Sequence, residues 1–117
     1  MRIDLQARGF TLTSGLAAAV NREAAALAVR LGDRALWLQV RLFDVNSNKG
    51  GIDKGCLIAA RIGRFRRIAV ATSIDRDLYR AIPAAFEKLQ RAALAASHRE
   101  HKLRRRERAT NVSAHVS

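Results

Sequence analysis

Hydrophobic and polar residues alternate from the start of the chain. Ile3, Leu5 and Ala7 are interleaved with Arg2, Asp4, Gln6 and Arg8. A period of two predicts a half-buried strand over residues 2–8. Gly9 to Thr13 interrupts it, and Thr13 or Ser14 is placed to cap a helix by accepting a hydrogen bond from a free backbone N–H. Leu16, Val20, Ala24, Leu27 and Leu31 then recur close to every 3.6 residues, which predicts an amphipathic helix ending at Gly32-Asp33. Three more strands follow. Over 35–45, Leu36, Leu38, Val40 and Leu42 oppose Trp37, Gln39, Arg41, Phe43 and Val45. After the polar, glycine-bearing loop 46–51, a strand over 53–62 sets Cys56, Ile58, Ala60 and Ile62 against Leu57, Ala59 and Arg61. Gly63-Arg64 is a turn, and a strand over 66–73 sets Ile68, Val70 and Thr72 against Arg67, Ala69 and Ala71.

A second helix opens at Asp75 or Asp77, where a carboxylate caps free N–H groups and meets the positive end of the helix dipole. Leu78, Ile82, Phe86, Leu89 and Ala93 form its stripe. Pro83 inside that stripe is expected to kink the helix or delay its regular start. Past Ala96 the stripe fades, and Leu103 is the one large apolar residue from 97 to 108. A helix from 75 to 108 would run about 50 Å, against about 33 Å for a ten-residue strand. The basic end therefore projects beyond the body or loses order, and residues 109–117 read as a disordered tail. The expected organisation is a domain over 1–96 and a basic C-terminal extension over 97–117.

The element order β-α-β-β-β-α, with one aliphatic face per strand and two amphipathic helices, predicts a two-layer α+β domain. Four strands form a sheet with both helices on one face. The other face stays open and is expected to carry Arg2, Gln6, Arg41, Arg61 and Arg67, with Trp37 and Phe43 among them.

Composition narrows the function. Across 117 residues, 22 Lys and Arg oppose 10 Asp and Glu, a formal charge of +12. Residues 1–96 contribute 16 basic and 8 acidic side chains, and residues 97–117 contribute 6 and 2, so the last segment is the denser in charge. Such an excess favours a polyanionic partner. Hydrophobic residues at 49 % supply a core, while aromatics at 5 % leave aliphatics and alanine to fill it. No apolar run approaches the roughly 18–20 residues of a membrane span. The opening MRIDLQARGF lacks the apolar stretch of a secretory leader, and the one cysteine, Cys56, suits a reducing compartment. A cytoplasmic location without membrane attachment is expected.

Asp77-Leu78-Tyr79-Arg80-Ala81-Ile82, followed by Glu87-Lys88-Leu89-Gln90-Arg91, resembles the D-x-Y-x-A-I and K-L-x-R signature of the ribosome hibernation-promoting factors, also called ribosome-associated inhibitors. The segment from Asp44-Val45-Asn46 to Gly50-Gly51-Ile52-Asp53-Lys54-Gly55-Cys56 is similar to a divergent branch of these proteins. The likeness covers about residues 1–95. It implies a factor that binds the small ribosomal subunit and its ribosomal RNA near the mRNA channel and tRNA sites, and silences translation under stress. It implies no enzyme activity and no cofactor. Lys88 and Arg91 match basic family positions. The chain departs from the family in reading Ala92-Ala93-Leu94-Ala95-Ala96 where further basic residues are usual, and Glu23 where a lysine is common.

Candidate RNA-binding residues follow from charge clustering. Arg99, Lys102, Arg104, Arg105 and Arg106 lie in a basic run whose bland alternative is a solubilising tail. Arg64, Arg66 and Arg67 surround a hairpin tip with Phe65, otherwise a solvated turn. The aromatic and cationic open sheet is a further RNA surface or a homodimer contact. Tyr79 is expected to pack, its hydroxyl reaching the sheet edge. His98 and His101 lack a third ligand for zinc. Cys56, on the core side, reads as an inert thiol. No catalytic residue, metal site or cofactor motif is identified. The leading function is therefore a ribosome-binding silencer. A general structured-RNA module and a non-RNA homodimeric interaction protein are the alternatives, and oligomeric state stays open.

Overall fold

The computed structural model describes residues 2–31, 35–44, 54–62, 67–95 and 105, with the side chains of 35, 36, 62 and 67 excepted. The elements are β1 (Arg2–Arg8), α1 (Ser14–Leu31), β2 (Ala35–Asp44), β3 (Lys54–Ile62), β4 (Arg67–Asp75) and α2 (residues 78–95). They form an α+β fold of order β-α-β-β-β-α, with a mixed sheet ordered β1-β2-β3-β4. β1 and β2 are parallel, as the α1 crossover between them requires, and β2-β3 and β3-β4 are antiparallel.

Local chemistry sets the boundaries. β1 ends at Gly9, whose φ of 86° lies in the left-handed region, and a Cβ there would sit 3.2 Å from the Asp44 carbonyl oxygen. Thr13 supplies the cap of α1, its hydroxyl accepting from the Leu16 N–H at 3.1 Å. At α2 both candidate aspartates act. Asp75 accepts from the Asp77 N–H at 3.1 Å, turning the chain, and Asp77 accepts from the Tyr79 N–H at 2.9 Å. The helix thus begins ahead of Pro83 and continues past it, so the proline does not delay its start. The cost is a donor missing for the Tyr79 carbonyl.

One sheet face is covered by the helices. Leu38, Val40 and Leu42 of β2 and Cys56, Ile58 and Ala60 of β3 are fully buried. Leu16, Ala19, Val20, Ala24, Leu27 and Leu31 of α1 join them, with Leu78, Ala81, Ile82, Ala85, Phe86, Leu89 and Ala93 of α2. Every residue of the two expected helical stripes is in this core. Burying a side chain of Leu, Ile or Phe contributes roughly 1.5–3 kcal/mol, so packing rather than intrinsic helicity holds α2.

β4 inverts the expected faces. Ala69 and Ala71 are 7 % and 6 % exposed, with Ser73 buried beside them, whereas Ile68 and Val70 are 63 % and 56 % exposed. Ile74 is exposed as well. The small residues of β4 face the helix layer, in the same core cluster as Ile82, Phe86 and Leu89 of α2. The side chain of Arg67, expected on the open face, lies outside the described ones.

Candidate nucleic-acid interface

The open face is a set of four cross-strand rungs. In order from β1 to β4 they are Arg2, Trp37, Arg61 and Ile68; Asp4, Gln39, Ala59 and Val70; Gln6, Arg41, Leu57 and Thr72; Arg8, Phe43, Gly55 and Ile74. Alternation along each strand brings these side chains to one side of the sheet. The face divides in two. Its β1–β2 half is cationic and aromatic, and its β4 edge is aliphatic.

Several details fix this surface. The Arg61 guanidinium lies over the Trp37 ring, 5.4 Å from its centroid. Phe43 is laid across Gly55, where a Cβ would come within 2.6 Å of the ring carbon Cε2. Only a glycine leaves room for the ring to lie there. Arg41, at the centre, is half-buried, and its Nε is buried without a hydrogen-bond partner. A hollow of about 660 Å³ opens beside Arg2, Asp4, Trp37 and Arg61.

The helix layer carries a second concavity. A cleft of about 550 Å³ runs between α1 and α2, lined by Glu23, Leu27, Arg30, Pro83, Phe86, Glu87, Gln90 and Arg91. Arg30 Nη1 donates to Gln90 Oε1 at 2.5 Å, tying the helices together. Two arginines and two glutamates line this cleft, so their charges balance.

The expected site residues fare unequally. Arg91 is exposed at the interhelical cleft. Lys88 is exposed, but its Nζ donates to the Thr72 carbonyl at 3.1 Å. It thereby covers one outward carbonyl on the free edge of β4, a common way of blunting a sheet edge. Arg105 is helical and exposed. Arg67 has its backbone in β4. Arg64, Arg66, Arg99, Lys102, Arg104 and Arg106 lie outside the described residues, as do the 63–66 turn, the 46–51 loop, the 32–33 helix stop and the 109–117 tail. Two features escaped sequence reasoning: the Arg30–Gln90 tie, which joins residues 60 positions apart, and the place of Asp4 beside Arg2 and Trp37. The β1 alternation put Asp4 on the polar side, but only the β1-β2 register brings it to Trp37.

Tyr79 is 54 % exposed, and a Cβ at Gly15 would fall 2.5 Å from its hydroxyl. The phenol therefore reaches the start of α1, not the sheet edge. Cys56 is fully buried, and burial pushes its thiol up to about 12. A thiol held protonated this firmly is no nucleophile at neutral pH. Among the described residues no three His, Cys, Asp or Glu side chains are grouped to hold a metal ion. No described helix is long and apolar enough to cross a membrane.

This two-layer architecture is shared with two solved structures. The N-terminal domain of Thermus thermophilus Protein Y superposes with a TM-score of 0.66 at 23 % identity, over 80 % of this chain and 96 % of that one. A ribosomal subunit interface protein from Coxiella burnetii superposes with a TM-score of 0.62 at 15 % identity, over 84 % of this chain and 99 % of that one. No protein-family profile and no curated protein matches the sequence. The likeness is thus one of fold.

Proposed function

We propose that this protein is a cytoplasmic ribosome-binding factor that occupies the mRNA and tRNA region of the small subunit and silences translation. The observation that carries the reading is the shared fold with Protein Y and with a protein named for the ribosomal subunit interface. The motif from Asp77 to Ile82 and the formal charge of +12 support it independently. The mechanism is steric and electrostatic, with no reaction and no cofactor. Arginine and lysine side chains displace counterions from rRNA phosphates, and the folded body blocks the channel. Residues 1–96 form the body, and the extension 97–117 adds contacts through Arg99, Lys102, Arg104, Arg105 and Arg106. Arg64, Arg66, Arg67, Lys88 and Arg91 contribute from the body.

The test is a competition. Labelled full-length protein is bound to small subunits and challenged with free RNA hairpins. Retention on the subunits in hairpin excess, with translation inhibited in a reconstituted system, supports the reading. Equal partition between subunits and hairpins favours a general structured-RNA module instead. A concentration-dependent dimer without RNA affinity favours a homodimeric interaction protein.

A further inference from the structure

The open sheet face offers chemistry that a phosphate-binding role leaves unused. Its described side chains include four arginines and one carboxylate, so the complementary partner is an anionic chain. Two observations identify what part of that chain belongs at the β1 end. The Arg61 guanidinium already lies over the Trp37 ring, 5.4 Å from its centroid, so a cation and an aromatic ring sit together on the open face. Next to the pair is a hollow of about 660 Å³, a volume within the range of small-ligand sites. A duplex keeps its bases stacked inside, whereas an unpaired nucleotide can turn its base onto an aromatic ring or a guanidinium plane.

We propose that this hollow binds an unpaired nucleobase of single-stranded RNA. The base stacks on the Arg61–Trp37 pair, Arg2 meets the adjoining phosphate, and the Asp4 carboxylate accepts from the exocyclic amino group. Asp4 gives the site a preference. Cytosine presents an N4 amino donor to a carboxylate, whereas uracil presents a carbonyl there, which the carboxylate repels. Farther along the strand, the half-buried Arg41 adds positive charge at the centre of the face. The inference rests on RNA as the partner class and places an RNA contact on the layer opposite the helices.

Trp37 is the only tryptophan in the chain, so its emission reports directly on the site. Full-length protein is titrated with short oligocytidylate, oligouridylate and a duplex of mixed sequence. The site predicts saturable quenching by oligocytidylate, weaker binding of oligouridylate, and no saturable quenching by duplex. Stacking of one base is worth roughly five- to 150-fold in affinity. Arg61→Ala, read by anisotropy of labelled oligocytidylate, should therefore weaken binding about tenfold. Arg61→Lys keeps the charge and should weaken it nearly as much, because an ammonium offers no plane. Asp4→Asn should erase the preference for cytosine. Equal quenching by duplex and single strands overturns the inference, as does full retention of affinity in Arg61→Lys. So does a Trp37 spectrum that shifts with protein concentration alone, which would mean that a second copy covers the face. Ribosome binding is measured in parallel by sedimentation. Sedimentation without quenching defeats this site and leaves the ribosome reading standing, and the converse defeats only the latter.

Discussion

Phe43 and Gly55 form a cross-strand pair whose coupling can be worked out from the geometry. A Cβ at position 55 would lie 2.6 and 2.9 Å from two carbons of the Phe43 ring, closer than real contacts allow. Gly55→Ala therefore expels the ring. The displacement costs about 0.5–1.5 kcal/mol in rotamer strain, plus about 1 kcal/mol for the burial of a half-buried aromatic. Alanine returns about 0.5–1 kcal/mol by restricting the unfolded strand relative to glycine. The net expectation is a loss of about 0.5–2 kcal/mol. Phe43→Ala alone should lose about 1–2 kcal/mol, less than a fully buried phenylalanine because the ring is half-exposed. The double variant has no ring to expel and keeps the alanine benefit, so it should be more stable than the sum of the singles by the whole cost of expelling the ring, about 1.5–2.5 kcal/mol. Urea denaturation followed by far-ultraviolet circular dichroism measures all four corners of the cycle. Additivity within about 0.5 kcal/mol, or a stabilising Gly55→Ala single variant, would refute the placement of the ring.

Four further outcomes follow from particular residues. Val70→Lys should change stability by no more than about 0.5 kcal/mol, whereas Ala71→Lys, which places an ammonium in the core, should abolish cooperative unfolding. Thr13→Ala should lose about 1 kcal/mol of stability with its helix cap, read as a shift in the urea midpoint at constant slope. Lys88→Ala should cost under about 1 kcal/mol, raise self-association in light scattering by uncovering the β4 edge, and be rescued by Lys88→Arg. Burial pushes the folded Cys56 thiol up from its ordinary 9.0 to about 12, so the unfolded state releases its proton first as pH rises. Its contribution is intact below about pH 9 and declines by about 1.4 kcal/mol per pH unit from there toward 12. Cys56→Ala should lack that component of the alkaline slope.

Most of the architecture was legible because polarity marked the faces. On β1, Asp4 and Gln6 against Ile3 and Leu5 leave one inward side. On β2 and β3, Arg41 and Arg61 identify the open side in the same way. β4 has no such marker. Ile68 and Val70 are more hydrophobic than Ala69 and Ala71, and hydrophobicity alone turns them inward. The structure turns the alanines inward, into a core that already holds Ile82, Phe86 and Leu89 of α2, and a close-packed interior has a fixed volume to fill. Periodicity thus fixed which residues share a face of β4, and only packing decided which face is core. The same gap left the aliphatic edge of the open sheet unforeseen. Lys88 matches a basic family position in sequence, but its bond to the Thr72 carbonyl depends on how α2 lies along the β4 edge. Alternation puts Trp37 and Arg61 on one face, but only the β2-β3 register brings the guanidinium over the ring.

The proposed partner of this basic protein is the small ribosomal subunit. Co-sedimentation of the full-length protein with purified small and large subunits over stepped salt tests it most directly. Binding to small subunits should survive moderate salt and weaken linearly on a log–log plot, with a slope reflecting several released counterions. Protein that stays in the supernatant at low and moderate salt, or that sediments equally with both subunits, would contradict it.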